Sequence, residues 1–390
     1  MEQPIERPKA ATPHSRALGR ASLPGQVVLV LQGGGALGSY QAGVYQALHE
    51  AGVEPDWIVG TSIGAINASL IAGNAPQDRL ARLNEFWTRV QRSPTWSFRD
   101  ALAGFGDKLA YWATLTHGIP GFFTPNLLAH AGDRFPLGAD HAGYYSTAPL
   151  ERTLSELVNL EFINQGRLRL TIGAAHVRTS QMQYFDSRHC KIDLKHIMAS
   201  GALPPGFPAV RVNGELYWDG GILSNTPTEV VLDDNPRRDS LIFTVHLWNS
   251  LGAEPTTMGE VHNRQKDVQY SSRIASQITR HQQTHRLRHV INELAARLPD
   301  SERDRPEVRE LMSYGCQTRM HVVQLLAPQL DHEGYTKDVD FSPAGIKGRW
   351  NAGYAHTKAV LAREPWVGQF DPLSGVILHE AGAFSALAAE

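Results

Sequence analysis

From Gln26 onward, short apolar runs alternate with segments of helical period, the pattern of a chain building a parallel α/β sheet. The run QVVLVLQ reads as a strand, Ala36 to Ala51 as a helix, DWIVGTS as a second strand and Ile63 to Gly73 as a second helix. The amphipathic stretch QDRLARLNEFWTRVQ comes next. Between Ser93 and Tyr145 the period is lost: Trp96, Phe98, Phe105, Tyr111, Trp112, Phe122 and Phe123 lie among glycines and prolines. This predicts an inserted cap, whose aromatics can form a lipid-binding lid or simply fill a core. Regular structure then resumes with a helix near Leu150 to Asn159, strands at LRLTIGAAHV and QMQYFD, and a helix at DLKHIMAS. Strands at GELYWD and SLIFTVHLW are expected to complete the sheet. Past about Leu251 long helices take over, SSRIASQITRHQQTHRLRHVINELAARL and SPAGIKGRWNAGYAHTKAVLA, with the strand RMHVVQLLA between them. Ser342 can cap the second of these, with Pro343 in its first turn.

The expected organisation is therefore a leader over residues 1–25, a catalytic domain over 26–250 with an insert at 93–145, and a helix-rich extension over 251–390. The leader carries prolines and charges with no apolar core segment, so it reads as disordered and as a poor signal peptide. At 390 residues and 42% hydrophobic, the chain can bury a full core. Its 37 basic and 39 acidic side chains nearly cancel, so no overall field draws it to nucleic acid. Cys190 and Cys316 are too few and too far apart for a disulfide framework or a paired-cysteine metal site. No apolar run approaches the roughly 20 residues of a spanning helix, so a cytoplasmic protein, at most peripheral to a membrane, is expected.

The glycines after the first strand, Gly33, Gly35 and Gly38, fit the dinucleotide fingerprint G-x-G-x-x-G. That fold wants an acidic residue at the carboxyl end of the second strand, and Asp56 stands at the other end. A phosphate loop fails too, because Gly38 is followed by Ser39 and not by lysine. The second strand runs instead into GTSIG, Gly60 to Gly64, the G-x-S-x-G of a nucleophile elbow. Such a sharp turn lifts Ser62 to the N-terminus of the next helix, and Gly60 and Gly64 let the neighbouring backbone pass. The N–H groups from Gly33, Gly34 and Gly35 to Ala36 can then converge beside Ser62 as an oxyanion hole. Either motif alone occurs by chance, but on successive strands the pair points to a serine hydrolase.

A serine needs a base, and the usual order would bring a later acid and then a histidine; with 17 histidines a triad stays open. YWDGGILSNTP offers Asp219, at a strand end before Gly220 and Gly221. An aspartate set directly against Ser62 can serve as base in a dyad, and partial burial would raise its pKa toward a useful value. The same D-G-G is also ordinary turn chemistry.

GGGALG (Gly33 to Gly38), GTSIGA (Gly60 to Ala65), SGALPPGFPAV (Ser200 to Val210) and DGG (Asp219 to Gly221) together resemble the patatin-like phospholipases and acyl hydrolases, in the family's order. The match spans roughly Gln26 to Trp248, and the tail resembles an extension seen in bacterial members. The resemblance implies a three-layer α/β/α fold with a mostly parallel central sheet, plus the helix-rich C-terminal extension. It implies an oxyanion hole at Gly33, Gly34 and Gly35, Ser62 as nucleophile, and Asp219 completing a Ser-Asp dyad without histidine. The implied activity is cleavage of carboxylic esters of apolar acyl chains, phospholipase A-like, with no metal or organic cofactor. Many members carry arginine or lysine where this chain has Leu37, so a cation near the oxyanion site is missing. Two other readings stand beside this one: a small-ester or oligoester hydrolase without membrane preference, and a non-catalytic lipid-binding regulatory protein.

His281, His285 and His289 recur every four residues, as zinc ligands on a helix can, but Gln282 stands where a metalloprotease has glutamate, and a packed or solvated face explains them as well. Arg264 to Val290 holds six Lys or Arg against one Asp, which suits a membrane-surface helix, a charged outer face or a dimer contact. The expected partners are thus an ester substrate, with peripheral membrane contact and a homo-oligomer through the C-terminal helices as further expectations.

Overall fold

The computed structural model describes residues 23–92, 117–131, 136–271, 274–330, 334 and 336–380. Nearly all of the expected leader, and residues 93–116 and 132–135 of the expected insert, lie outside the described residues.

The chain opens with β1 (Gln26–Leu31), α1 (Ser39–Glu50), β2 (Trp57–Thr61), α2 (Ile63–Ala72) and α3 (Arg79–Arg89). Val27, Leu29 and Leu31 of β1 pack on one side of the sheet and Val28 and Val30 on the other. A strand apolar on both faces belongs in the middle of a parallel sheet with helices on either side. A two-stranded ribbon of β3 (Thr124–Pro125) and β4 (Tyr145–Ser146) precedes α4 (Ala148–Leu157), β5 (Arg169–His176) and β6 (Met182–Asp186). Next come α5 (Leu194–Ser200), β7 (Val210–Val212), β8 (Glu215–Asp219) and β9 (Ser240–His246). The tail supplies α6 (Met258–Ser271), α7 (Ile274–Ala296), β10 (Met320–Leu326), α8 (Pro343–Arg363) and β11 (Val376–Glu380).

The nine-stranded sheet runs β11-β10-β9-β1-β2-β5-β8-β7, with β6 also paired to β5. From β11 to β5 every pairing is parallel; β6 and β8 pair antiparallel to β5, and β7 antiparallel to β8. The fold is thus α/β with a mostly parallel central sheet. One point corrects the sequence reading. The sheet does not end at β9: β10 pairs along it from Met320↔Ser240 to Leu326↔His246, and β11 pairs with β10. The tail also packs on the first helix, since α8 crosses α1 where Gly43 meets the Trp350 carbonyl and Gly353 meets the Tyr40 carbonyl. A methyl group at either glycine would collide with that backbone. As expected, Ser342 caps α8, accepting the Gly345 N–H at 3.1 Å, with Pro343 in the first turn.

The register at β5 does the most for function. β2 pairs with Arg169 to Gly173, β6 with Thr171 to Ala175, and β8 with Ala174 to His176. Because β6 overlaps both of the others, it takes one edge of β5, and β2 and β8 must share the opposite edge. They run toward each other along it. Thr61 faces Gly173 at the end of β2, and Asp219 faces Ala174 at the end of β8.

Candidate active site

Ser62 comes directly after Thr61 and has φ 56° and ψ −126°, a left-handed turn between β2 and α2. The turn is possible because Gly60 and Gly64 lie against each other and Gly64 against the Leu31 carbonyl of β1; a side chain at either would collide. The Ser62 N–H donates to Ser200 Oγ at 2.9 Å, and that hydroxyl donates to the Gly173 carbonyl at 2.7 Å. Ser200, at the end of α5, thereby ties the strained turn to β5.

Asp219 is buried, 2% exposed, and accepts the Gly221 N–H at 2.7 Å; it lines the same pocket as Ser62, whose hydroxyl is near enough to lower its pKa. Burial pushes its carboxyl up to about 6, while the Ser62 hydroxyl and the Gly221 N–H pull it down. Gly220 packs on the Gly173 carbonyl with no room for a side chain. Serine and aspartate thus line one pocket, at the facing ends of β2 and β8. The histidines of the sheet are engaged elsewhere: His246 Nε2 meets Thr244 Oγ1 at 3.1 Å, and His176 Nε2 meets Glu215 at 3.3 Å. No histidine is among the described residues that line the pocket over Ser62.

The glycine loop leaves β1 beside this pair and turns into a short 3₁₀ helix, Gly35–Gly38, that leads into α1. The Gly33 N–H donates to the Asn225 carbonyl at 3.2 Å. Ala36 is fully buried and outside the pocket wall. Gly34 and Gly35 line the pocket, and their N–H groups hydrogen-bond to no other described residue. The Gly33 carbonyl accepts Trp248 Nε1 at 2.8 Å and Asn225 Nδ2 at 3.2 Å. Its peptide is trans, so a carbonyl pinned on one side turns the Gly34 N–H to the opposite side. Gly38 is held below, its carbonyl accepting Asn67 Nδ2 at 2.9 Å, while Trp87 Nε1 donates to Asn67 Oδ1 at 3.1 Å.

The pocket is a cavity of ≈ 140 Å³ walled by Ile63, Ile66, Phe122, Phe123, Leu150 and Phe207, with Phe341 from the tail. Phe122 and Phe123 come from the expected insert, and their rings sit 6.3 and 5.5 Å from that of Phe207. Tyr270, Asp338 and Val339 also line it, so the tail builds part of the wall. Sequence reading missed this, as it missed Ser200, Asn225 and Trp248 as supports. All of them lie far from Ser62 along the chain, and although Ser200 opens SGALPPGFPAV and Asn225 stands in YWDGGILSNTP, neither stretch says what they hold.

Other sequence candidates sit elsewhere. Leu37 points away from the pocket, into a second cavity of ≈ 310 Å³. His285 Nε2 meets the Leu232 carbonyl at 3.1 Å and His289 Nε2 the Thr318 carbonyl at 3.0 Å, so this helix face packs on the main body. Among the described residues no cluster of three metal-binding side chains exists.

The model of the patatin-like phospholipase family matches residues 29–232, and a second model, described as patatin phospholipase, matches residues 268–373. An uncharacterized NTE family protein of Mycobacterium tuberculosis is 27% identical over 241 residues, 59% of this chain and 32% of the relative. A lysophospholipase of Aspergillus terreus is 59% identical over 49 residues, 13% of this chain and 3% of the relative. Among solved structures, VipD from Legionella pneumophila aligns at 15% identity and a TM-score of 0.37, covering 87% of this chain and 67% of that one. This chain thus spans about a third or less of the curated relatives it matches. With one family model covering more than half of the chain and a second covering much of the tail, the protein belongs to the patatin-like phospholipase family.

Proposed function

We propose that this chain is a serine acyl hydrolase that cleaves carboxylic esters of apolar acyl chains through a Ser62–Asp219 dyad. The observation that carries the reading is Ser62, strained at φ 56°, lining an apolar pocket together with a buried carboxylate whose pKa it lowers. Ser62 Oγ attacks the ester carbonyl carbon as Asp219 takes its proton. The oxygen that gains negative charge is held by the Gly34 and Gly35 N–H groups, helped by the N-terminus of α2. Asp219 passes the proton to the leaving alkoxide, leaving an acyl group on Ser62. Water then attacks that ester, giving a proton to Asp219, which returns it to Ser62 Oγ as the acid departs.

A burst-phase measurement tests the dyad on Ser62→Ala, Asp219→Asn, His176→Ala and His246→Ala, each checked for folding. The first two should form no acyl-enzyme, and the histidine variants should stay within about tenfold of wild type, short of the roughly 100- to 10,000-fold of a general base. A folded histidine variant as inactive as Ser62→Ala would sink the dyad. A fluorophosphonate that labels Ser62 excludes the non-catalytic lipid binder.

The small-ester reading draws support from the cavity volume. At ≈ 140 Å³ this open pocket is close in volume to the roughly 150 Å³ cavity that accepts benzene, so it has room for about six acyl carbons. Turnover of soluble esters of increasing chain length should then peak near that size. A peak at long chains, or turnover confined to phospholipid vesicles, would favour lipid substrates met at a membrane surface.

A further inference from the structure

Two crossed ion pairs join two segments of the tail beside the glycine loop. Lys266 and Asp267 are neighbours on α6, and Lys337 and Asp338 are neighbours on the 3₁₀ turn Lys337–Val339. Lys266 Nζ lies 2.7 Å from Asp338, and Lys337 Nζ lies 2.7 Å from Asp267. The second pair is buried. The Lys337 ammonium also sits 5.3 Å from the centre of the Trp248 ring, and Trp248 is the residue whose indole N–H holds the Gly33 carbonyl. Tyr270, one turn along α6, lays its ring 4.9 Å from Trp248 and offers its carbonyl to Gln32 Nε2 at 3.3 Å. On the other side, the Asp338 carbonyl packs on Gly35 so closely that a side chain there would collide.

A buried ion pair adds little net stability, because the desolvation of two charges offsets their attraction. What it can supply is a single geometry. An ammonium held between a carboxylate and the face of an indole fixes the tilt of that ring. The ring fixes the Gly33 carbonyl, and the trans peptide fixes the direction of the Gly34 N–H.

We propose that Asp267 and Lys337 are positioning residues for the oxyanion hole, acting through Trp248, so that the tail is part of the catalytic apparatus. This inference rests on the Ser62–Asp219 dyad and the glycine-loop oxyanion hole. Its closing experiment separates the two.

The test uses the full chain with Asp267→Leu and Lys337→Met together, which removes both charges and leaves neither buried alone. The fold should survive by circular dichroism, KM should hold, and kcat should fall about 10- to 100-fold, the scale of a misdirected group. Lys337→Arg keeps a cation over the indole and should recover most of the rate. The reversed pair, Asp267→Lys with Lys337→Asp, keeps an ion pair but sets a carboxylate against the ring, and should not recover it. A folded double variant with kcat within about twofold of wild type overturns the proposal. So does recovery in the reversed pair, which would make the role purely structural. If the double variant does not fold, Trp248→Phe keeps an aromatic side chain but removes the indole N–H along with the fused five-membered ring; it carries the same expectation, and full activity in it is fatal. Fluorophosphonate labelling tells the two failures apart: an unlabelled wild type ends both readings, whereas equally fast labelling of wild type and double variant ends only this one.

Discussion

At the scale of single residues, Asp219 carries opposed demands. Its carboxyl is pushed from 3.8 to about 6 by burial, so it ionises reluctantly and accepts a proton readily. As the base it must be ionised, so kcat/KM should rise with pH around a midpoint near 6 and flatten above it. The stability effect has the other sign. A carboxyl whose folded pKa exceeds its unfolded value contributes stability below about 3.8, and that contribution is lost as pH rises through about 6. A shift of about two units is worth roughly 3 kcal/mol. Asp219→Asn should therefore be inactive yet more stable than wild type above pH 6, with the gain fading toward pH 4; denaturant titrations across that range check it. Ser200 makes the reverse prediction. Without its hydroxyl the Ser62 N–H loses its partner, so Ser200→Ala should lose about 1–3 kcal/mol of stability. It should also release the strained turn and lower kcat by about 10- to 100-fold, read from the burst phase.

At the scale of elements, the crossing of α1 and α8 depends on bare backbone. Gly43 and Gly353 face the opposite helix with no room for a methyl group, so Gly353→Ala must push the helices apart. Overpacking of this kind costs about 1–3 kcal/mol, so the variant should melt earlier while its folded fraction keeps wild-type kcat. These helices lie about 300 residues apart in sequence, and that separation marks where sequence reading stops. β1, β2, the elbow at Ser62 and the helix after it are local: apolar runs, glycine spacing and a turn write them between Gln26 and Ala72. The meeting of Asp219 with Ser62 is not local, and only the motif order hints at it; its cause is the shared edge of β5. β11 goes unread in the sequence, because nothing within VILHE says that it will pair with β10. Gly33 reads as a donor from its place in the loop, and its N–H donates to the Asn225 carbonyl, a contact that no spacing rule reveals.

At the scale of the molecule, the composition change near residue 251 suggests a boundary, but the packing argues for one cooperative unit. Val323 and Leu325 of β10 and Val360 and Leu361 of α8 share a buried cluster with Val27, Leu29 and Leu31 of β1. All seven residues of β9 are buried, with β1 on one edge and β10 on the other. A chain ended after residue 250 would leave β9 with a long, flat, apolar open edge, the kind of surface that pairs with other chains. It would also strip Tyr270, Asp338, Val339 and Phe341 from the pocket wall. We infer that the described residues of the catalytic part and of the tail unfold together. Calorimetry of the full chain should give one transition, with the calorimetric enthalpy matching the van't Hoff enthalpy. The chain ended at residue 250 should aggregate, or should fail to react with a fluorophosphonate. Two separable transitions, with a soluble and reactive shorter chain, would show that the tail is a separate domain and that the sheet up to β9 holds its own active site.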